Sequence, residues 1–417
     1  MKSIPLYIAL LIILTSSALA ESWPQFRGPR GGGIVTGTYQ LDGISGVKPS
    51  WRVPVNAGFS SFTEADGRAF TLVTRNGQEI CVALDVKTGK ELWASKPLGP
   101  AEYGHSGGNA GTSNNKGGDG PRSTPSVDDG RVYILSSELN LACLDAKSGR
   151  QVWRKDLKQL GGRLPKWKNA ASPIIEGDLL LVNSGAEAGA MMGIRKSDGA
   201  VAWRTGSDEM THSTPVVGEI HGVRQAIFFT RKGLVSVEPT SGKEIWRHAF
   251  NFAVSTAMTP VIEGDIVFCS AGYGVGAAAC RVTKQGSNWS VKRLWYERGN
   301  TLANHWSSPL VKDGHLYGLF GFKKYGACPL MCVELATGKV KWSKSGFGPG
   351  GVVLTGDRLL VLGDEGQLVV VDATPSGYKE RARTDHLYGK AWSTPTISNG
   401  LILARTTKEA ICIKISK

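Results

Sequence analysis

Residues Leu141 to Trp153 read LACLDAKSGRQVW, and the chain repeats this pattern. Cys81–Trp93 reads CVALDVKTGKELW, Val235–Trp246 VSVEPTSGKEIW and Met331–Trp342 MCVELATGKVKW, while Met192–Trp203, MGIRKSDGAVAW, is a looser copy. Each copy runs from alternating apolar residues through a Ser/Thr/Asp-Gly turn to a Trp four residues after the Gly. Alternation at period two describes a half-buried strand. Gly89, Gly149, Gly199, Gly242 and Gly338 supply the positive φ that a tight hairpin turn requires. The Trp then falls on the return strand, where it offers a large apolar area to a neighbouring unit. A lone hairpin cannot bury both faces, so the copies must stack or close a ring.

A second element precedes each hairpin. Ser123-Thr124-Pro125, Ser172-Pro173, Ser213-Thr214-Pro215, Thr259-Pro260, Ser308-Pro309 and Ser393-Thr394-Pro395 each lead into two apolar runs separated by a Gly-containing turn. A Pro at the start of an edge strand forfeits no ladder bond. Two strands from this element and two from the hairpin make a four-stranded blade, and such blades repeated around an axis make an all-β propeller. Inner strands are expected near Ser60, Ser123, Ser172, Ser213, Thr259, Ser308, Gly351 and Ser393, which gives eight blades. The strand Pro49–Val55 carries Trp51 without a complete blade before it, and Ser393–Ile415 lacks a fourth strand. Pairing these two closes the ring and removes open sheet edges. Trp51, Trp93, Trp153, Trp203, Trp246, Trp295 and Trp342 are the expected blade-docking residues, with Tyr378 near the corresponding place in the seventh blade. That blade is the weakest copy, and a seven-bladed ring is the alternative.

The chain has 417 residues and a net charge of +14. This charge suits an anionic partner or a solvated basic surface. No concentrated Lys/Arg run or nucleic-acid motif is present, which argues against nucleic acid. Residues 1–20 read as a secretory leader: Lys2, an apolar core Leu6–Leu14 and Ala18-Leu19-Ala20 before the cleavage point. The apolar core is too short for a membrane span, so the expected product is periplasmic or extracellular. Residues 21–48 form a separate segment before the propeller at 49–417. Within it WPQFRGPRGGG, Trp23–Gly33, is denied regular structure by Pro and Gly, and its aromatics suggest docking on the ring. The seven Cys fall mainly on third strands among apolar residues, as buried free thiols do. Cys269 with Cys280, and Cys328 with Cys332, are the conceivable disulfides. The Gly/Asn/Ser-rich connection Gly99–Pro121 is either a functional loop or a tolerated insertion.

The repeat Ala83-Leu84-Asp85-Val86-Lys87-Thr88-Gly89-Lys90-Glu91-Leu92-Trp93 resembles the A-x-D-x-x-T-G-x-x-x-W signature of the pyrroloquinoline-quinone (PQQ) repeat propellers. The resemblance covers about residues 49–417 and implies eight blades. That superfamily contains quinoprotein dehydrogenases and non-catalytic propellers, among them the outer-membrane-protein assembly lipoprotein. Gly185-Ala186-Glu187 is similar to an element of the quinoprotein alcohol dehydrogenases, whose Glu binds the calcium beside PQQ. Calcium needs several oxygen ligands, and neither a matching Asn ligand nor a catalytic Asp can be placed. No two Cys are adjacent, so the vicinal disulfide that packs on PQQ in those enzymes is missing.

Propeller topology gathers residues that are distant in sequence around one channel mouth. Loops entering the inner strands bring Arg122, Asn169, His212, His305, Trp306 and Trp392. Loops between second and third strands add Glu187, Arg231, Lys232, Tyr273, Lys323, Lys324, Tyr325 and Arg405. Such a rim suits an anionic or planar ligand. There is no H-E-x-x-H, P-loop or C-x-x-C. The expectation is an exported, monomeric, non-catalytic propeller without cofactor, serving as a scaffold for an envelope protein or anionic ligand. The alternative is a PQQ- and calcium-dependent dehydrogenase of alcohols or sugars, with Glu187 as its metal ligand.

Overall fold

A computed structural model describes residues 22–101, 119–322 and 327–417. The leader, most of the Gly99–Pro121 connection and residues 323–326 lie outside these. The described chain forms eight four-stranded antiparallel sheets, each in sequence order from inner to outer strand except the one shared by the termini. The inner strands are Thr63–Ala65, Ser126–Asp128, Ile174–Glu176, Val216–Ile220, Val261–Glu263, Leu310–Lys312, Gly351–Thr355 and Thr396–Ser398. We number blades 1 to 8 in that order. Trp51–Pro54 is the outer strand of blade 8, pairing Trp51 with Cys412 and Arg52 with Ile411. The ring is therefore closed by its two ends, and eight blades is the count.

The repeated motif is the seam between blades. Trp93 donates its indole N–H to the Ala146 carbonyl of the next blade at 3.0 Å, Trp51 to Val86 at 2.8 Å and Trp153 to Lys196 at 2.9 Å. Trp203, Trp295 and Trp342 do the same to Pro239, Leu335 and Thr374. In the first three seams the acceptor lies three residues before the turn Gly, and the indole covers that Gly. A Cβ on Gly149 would sit 2.6 Å from Trp93, and one on Gly89 2.7 Å from Trp51. Gly is thus required twice over, by the close approach and by φ of 69° and 72°. The turn is held by its Asp: Asp85 Oδ1 accepts from the Lys87 and Thr88 amides and the Thr88 hydroxyl at 2.8–3.0 Å.

Two seams depart from the rule. Trp246 donates to Gln225 of its own blade at 2.6 Å, because blade 5 has no such turn. Its third and fourth strands, Gly276–Gln285 and Asn288–Glu297, are ten residues each and run past the place where the turn would lie. In blade 7 the docking position belongs to Ala382, opposite Val370, as Trp93 lies opposite Ala83. Tyr378 instead sits in the preceding turn, packed against Trp342 and Phe347. The seam between blades 7 and 8 is filled by the N-terminal segment: Tyr39, Leu41 and Ile44 are buried in one cluster with Ala382, Ile411 and Ile413.

The Ser/Thr-Pro elements stitch the inner ring. The Ser61 amide donates to Thr124 Oγ1 of blade 2, Thr124 to Ser172 Oγ of blade 3, and Ser172 to Thr214 Oγ1 of blade 4, all at 2.9–3.0 Å. Thr259 reaches Ser308 Oγ at 2.8 Å, and Thr394 closes the circle on Ser61 Oγ at 2.9 Å. Each hydroxyl satisfies a buried amide that its own blade leaves unpaired.

Residues 23–35 dock on the ring and thread the channel. Trp23 exchanges backbone bonds with Glu64 of blade 1, and the Pro24 carbonyl accepts from Val127 of blade 2. Gln25 Oε1 accepts from Ile175 of blade 3. Gly33 and Val35 bond Leu354 of blade 7. Arg27 donates to the carbonyls of Gly31, Gly32, Ser308 and Pro309 at 2.6–3.0 Å. Burial lowers its pKa to about 10. All seven Cys are buried and none is in a disulfide, so neither conceivable pairing forms.

Candidate functional site

The channel mouth opposite the ends of the inner strands collects an unbroken arc of rings. Phe59, entering blade 1, stacks on Trp392 of blade 8 at 4.8 Å between centroids, and Trp392 stacks on Trp306 of blade 6 at 4.4 Å. Trp306 meets Phe322 edge-on at 4.9 Å, and Phe322 contacts Tyr273 of blade 5 at 4.7 Å and His305 at 4.2 Å. Tyr273 then lies almost parallel to Trp167, 12° apart at 6.3 Å, and Trp167 reaches His212 of blade 4. Arg122 pins this end by donating to the Trp167 carbonyl at 2.6 Å. Trp167, Lys168 and Tyr273 all take positive φ (71°, 65° and 60°), a conformation costly for side chains with a Cβ.

Two neutral imidazoles sit inside the arc. Burial, reinforced by the Arg122 charge, lowers the His212 pKa to about 4. Burial and the neighbouring His212 lower that of His305 to about 3. Nε2 of His212 and Nδ1 of His305 are buried without a hydrogen-bond partner among the described residues. Gly272 makes room for His305, since a Cβ there would lie 2.9 Å from the ring.

The structure thus brings together Arg122, His212, Tyr273, His305, Trp306 and Trp392 of the expected rim. It commits others elsewhere. Arg405 is fully buried and donates to Thr71 Oγ1 and to the carbonyls of Leu72, Asn56, Gly58 and Thr406, locking blade 8 to blade 1. Asn169 is buried and spends its amide on the carbonyls of Ser136 and Ala171. Arg231 and Lys232 pair with Glu209 and Asp208. Lys323, Lys324 and Tyr325 lie outside the described residues. Phe59, Trp167 and Phe322 are the arc members that sequence reasoning missed. Trp167 carried a signal: an aromatic between two lysines in the blade 2–3 connection, LPKWKN.

Glu187 does not fit a calcium ligand. Its side chain is 74% exposed and pairs with Arg163 at 2.6 Å. No group of three or more His, Cys, Asp or Glu able to hold a metal occurs among the described residues. A cavity of about 730 Å³ lies away from the mouth, at the edge of blades 6 and 7 between Lys312, Arg358 and the Asp372–Lys379 turn.

Comparison with known proteins agrees with this architecture. The sequence profile described as outer membrane protein assembly factor BamB matches residues 76–344, well over half of the chain. The chain belongs to that family. Among curated proteins it is similar to the outer membrane protein assembly factor BamB of Shewanella oneidensis, 23% identical over 60% of this chain and 64% of that protein. It is also similar to the 1-butanol dehydrogenase (cytochrome c) of Thauera butanivorans, 31% identical over 30% of this chain and 16% of that protein. The matches thus span less than two thirds of the length of these relatives. Among solved structures the fold matches BamB from Moraxella catarrhalis, with TM-score 0.60 and 13% identity over 88% of this chain and 97% of that one. It matches the quinohemoprotein alcohol dehydrogenase of Comamonas testosteroni with TM-score 0.68 and 13% identity, over 94% and 80%. At such identities the structural likeness concerns the fold alone. Among the described residues no helix is long and apolar enough to cross a membrane.

Proposed function

We propose that the protein is an exported, monomeric, non-catalytic propeller that acts as a scaffold for an envelope protein or an anionic ligand. The observation that carries this reading is the position of Glu187, turned to solvent and paired with Arg163 instead of standing in a ligand set. Three further features support it. The mouth rings pack on one another, the thiols are single and buried, and residues 23–35 occupy the channel from within. Membership of the assembly-factor family favours a protein partner, and the leader at residues 1–20 favours an envelope location. The dehydrogenase reading draws on the 31% identical stretch shared with the butanol enzyme. Calorimetric titration of the protein with PQQ in calcium buffer, with Glu187→Ala alongside, separates the two. The scaffold predicts no binding heat in either protein. Micromolar binding that vanishes in Glu187→Ala would establish the enzyme reading.

A further inference from the structure

Blade 5 is where the chain breaks its own rule, and the break has a cost. Its extended hairpin removes the turn that Trp246 would dock on. The neighbouring blade adapts: its own lengthened hairpin, Val216–Ile220 with Val223–Thr230, leans on the extension. His221 Nε2 lies 2.8 Å from the Val282 carbonyl, and the His221 ring approaches Trp289. Local rules that fail at the expense of packing point to function.

The extension creates an outer edge unlike any other in the ring. Outer strands elsewhere are four to six residues long. Asn288–Glu297 has ten, an edge of about 34 Å at the usual rise per residue. No backbone group of Asn288–Glu297 bonds to backbone outside its sheet, among the described residues. The surrounding charge is mostly basic. Residues 281–298 hold Arg281, Lys284, Lys292, Arg293 and Arg298 against Glu297, and the adjoining outer strand of blade 6 adds Lys341 and Lys344. Arg281 and Lys292 are direct cross-strand neighbours, a like-charge pairing that is unfavourable unless an anion offsets it. Asp265 reaches Arg281 at 3.1 Å. Basic side chains on an edge repel a second copy of the same edge, and they attract an acidic strand.

We propose that Asn288–Glu297 receives an extended acidic segment of a partner protein as a fifth strand of blade 5. Main-chain pairing would supply the hold and the Lys/Arg of blades 5 and 6 the choice of partner. This inference rests on the scaffold reading and names the chemistry of the partner.

The test uses the full chain and a capped decapeptide of alternating Glu and Val, followed by fluorescence anisotropy. Three further probes run beside it: the same peptide N-methylated at alternate residues, a Lys/Val counterpart, and phosphatidylglycerol vesicles. The acidic peptide is expected to bind at least tenfold more tightly than its N-methylated form, and the Lys/Val peptide not to bind. Lys292→Glu with Arg293→Glu should weaken binding at least tenfold with the thermal transition unchanged. Replacing residues 283–290 by Asn-Gly, which restores a short hairpin, should have the same effect. No binding of the acidic peptide overturns the proposal. Equal binding of the N-methylated form reduces the edge to a charged surface and also overturns it, as does binding to vesicles alone. The PQQ titration probes the mouth and not this edge, so failure here leaves the scaffold reading standing, and PQQ binding there would remove its basis.

Discussion

The seam between blades 1 and 2 yields a sharp prediction. Trp93 is 9% exposed, and its indole both covers Gly149 and donates to Ala146. A buried Trp removes about 150–250 Å² from water, worth roughly 4–6 kcal/mol at 25 cal/mol per Å². Trp93→Ala should therefore cost about 4–5 kcal/mol, near the upper end for such truncations. Gly149→Ala meets two penalties. Its φ of 69° costs about 1–2 kcal/mol for a residue with a Cβ. Its Cβ, 2.6 Å from the indole, adds an overpacking cost of about 1–3 kcal/mol. In the Trp93→Ala background the second penalty vanishes, because the space is empty. The double variant should thus be more stable than the sum of the single effects by about 1–3 kcal/mol. Denaturant midpoints of the four proteins, at unchanged slope, measure this coupling. Additivity within about 0.5 kcal/mol would refute the account of the repeat as an inter-blade seam.

Three other outcomes are expected. Thr124→Val leaves the Ser61 amide without its acceptor and should cost about 1–3 kcal/mol, whereas Thr124→Ser should restore most of it; denaturation midpoints decide. Arg27→Lys cannot reach four carbonyls with one ammonium and should speed proteolysis at residues 23–33 by tenfold or more, read by mass spectrometry of a timed digest. The mouth histidines set an acid limit. Their folded pKa values, about 4 and about 3, lie below the ordinary 6.5, so the unfolded chain binds their protons first. Their contribution is fully present above pH 6.5 and is lost as pH falls through 4 and then 3. A tenfold difference in proton affinity is worth about 1.4 kcal/mol, which makes the loss of order 3 kcal/mol or more for each ring. His305→Gln should flatten the stability profile between pH 6 and 3, and an unchanged slope would contradict neutral burial of that ring.

Much of this molecule was legible in one dimension. Period-two alternation, a Gly at fixed distance from a Trp, and a Ser/Thr-Pro before each inner strand are local features. They pointed to eight blades, with seven as the alternative, to the strand order within a blade and to closure of the first strand on the last blade, because each blade is built by its own short segment; the pairing of Trp51 with Cys412 came from the structure. The site was legible only in outline. Topology alone announced that Arg122, His212, Tyr273, His305, Trp306 and Trp392 would share a mouth. It did not announce that Arg405 and Asn169 would turn inward to satisfy backbone carbonyls, or that Glu187 would turn out toward Arg163. Side-chain direction depends on which polar groups burial leaves unpaired, and those belong to other blades.

The sequence by itself determined the repeating unit, the ring and the Trp positions, six of which make the seam bond, since hairpin turns and strand alternation are decided within about a dozen residues. Only the tertiary structure decided what fills the exceptions. Ala382 in place of a Trp reads as a weak repeat until Tyr39, Leu41 and Ile44 are seen in the gap it leaves. Residues 23–35 read as an irregular segment that docks on the ring, and only the structure supplies its partners on blades 1, 2, 3, 6 and 7. Such contacts join positions hundreds of residues apart, and no local preference encodes them. Those of residues 23–35 exist because a closed ring presents its inner edges to one shared channel, where any unpaired backbone group must find a partner, and those of Tyr39, Leu41 and Ile44 because the small Ala382 leaves apolar surface to cover between blades 7 and 8.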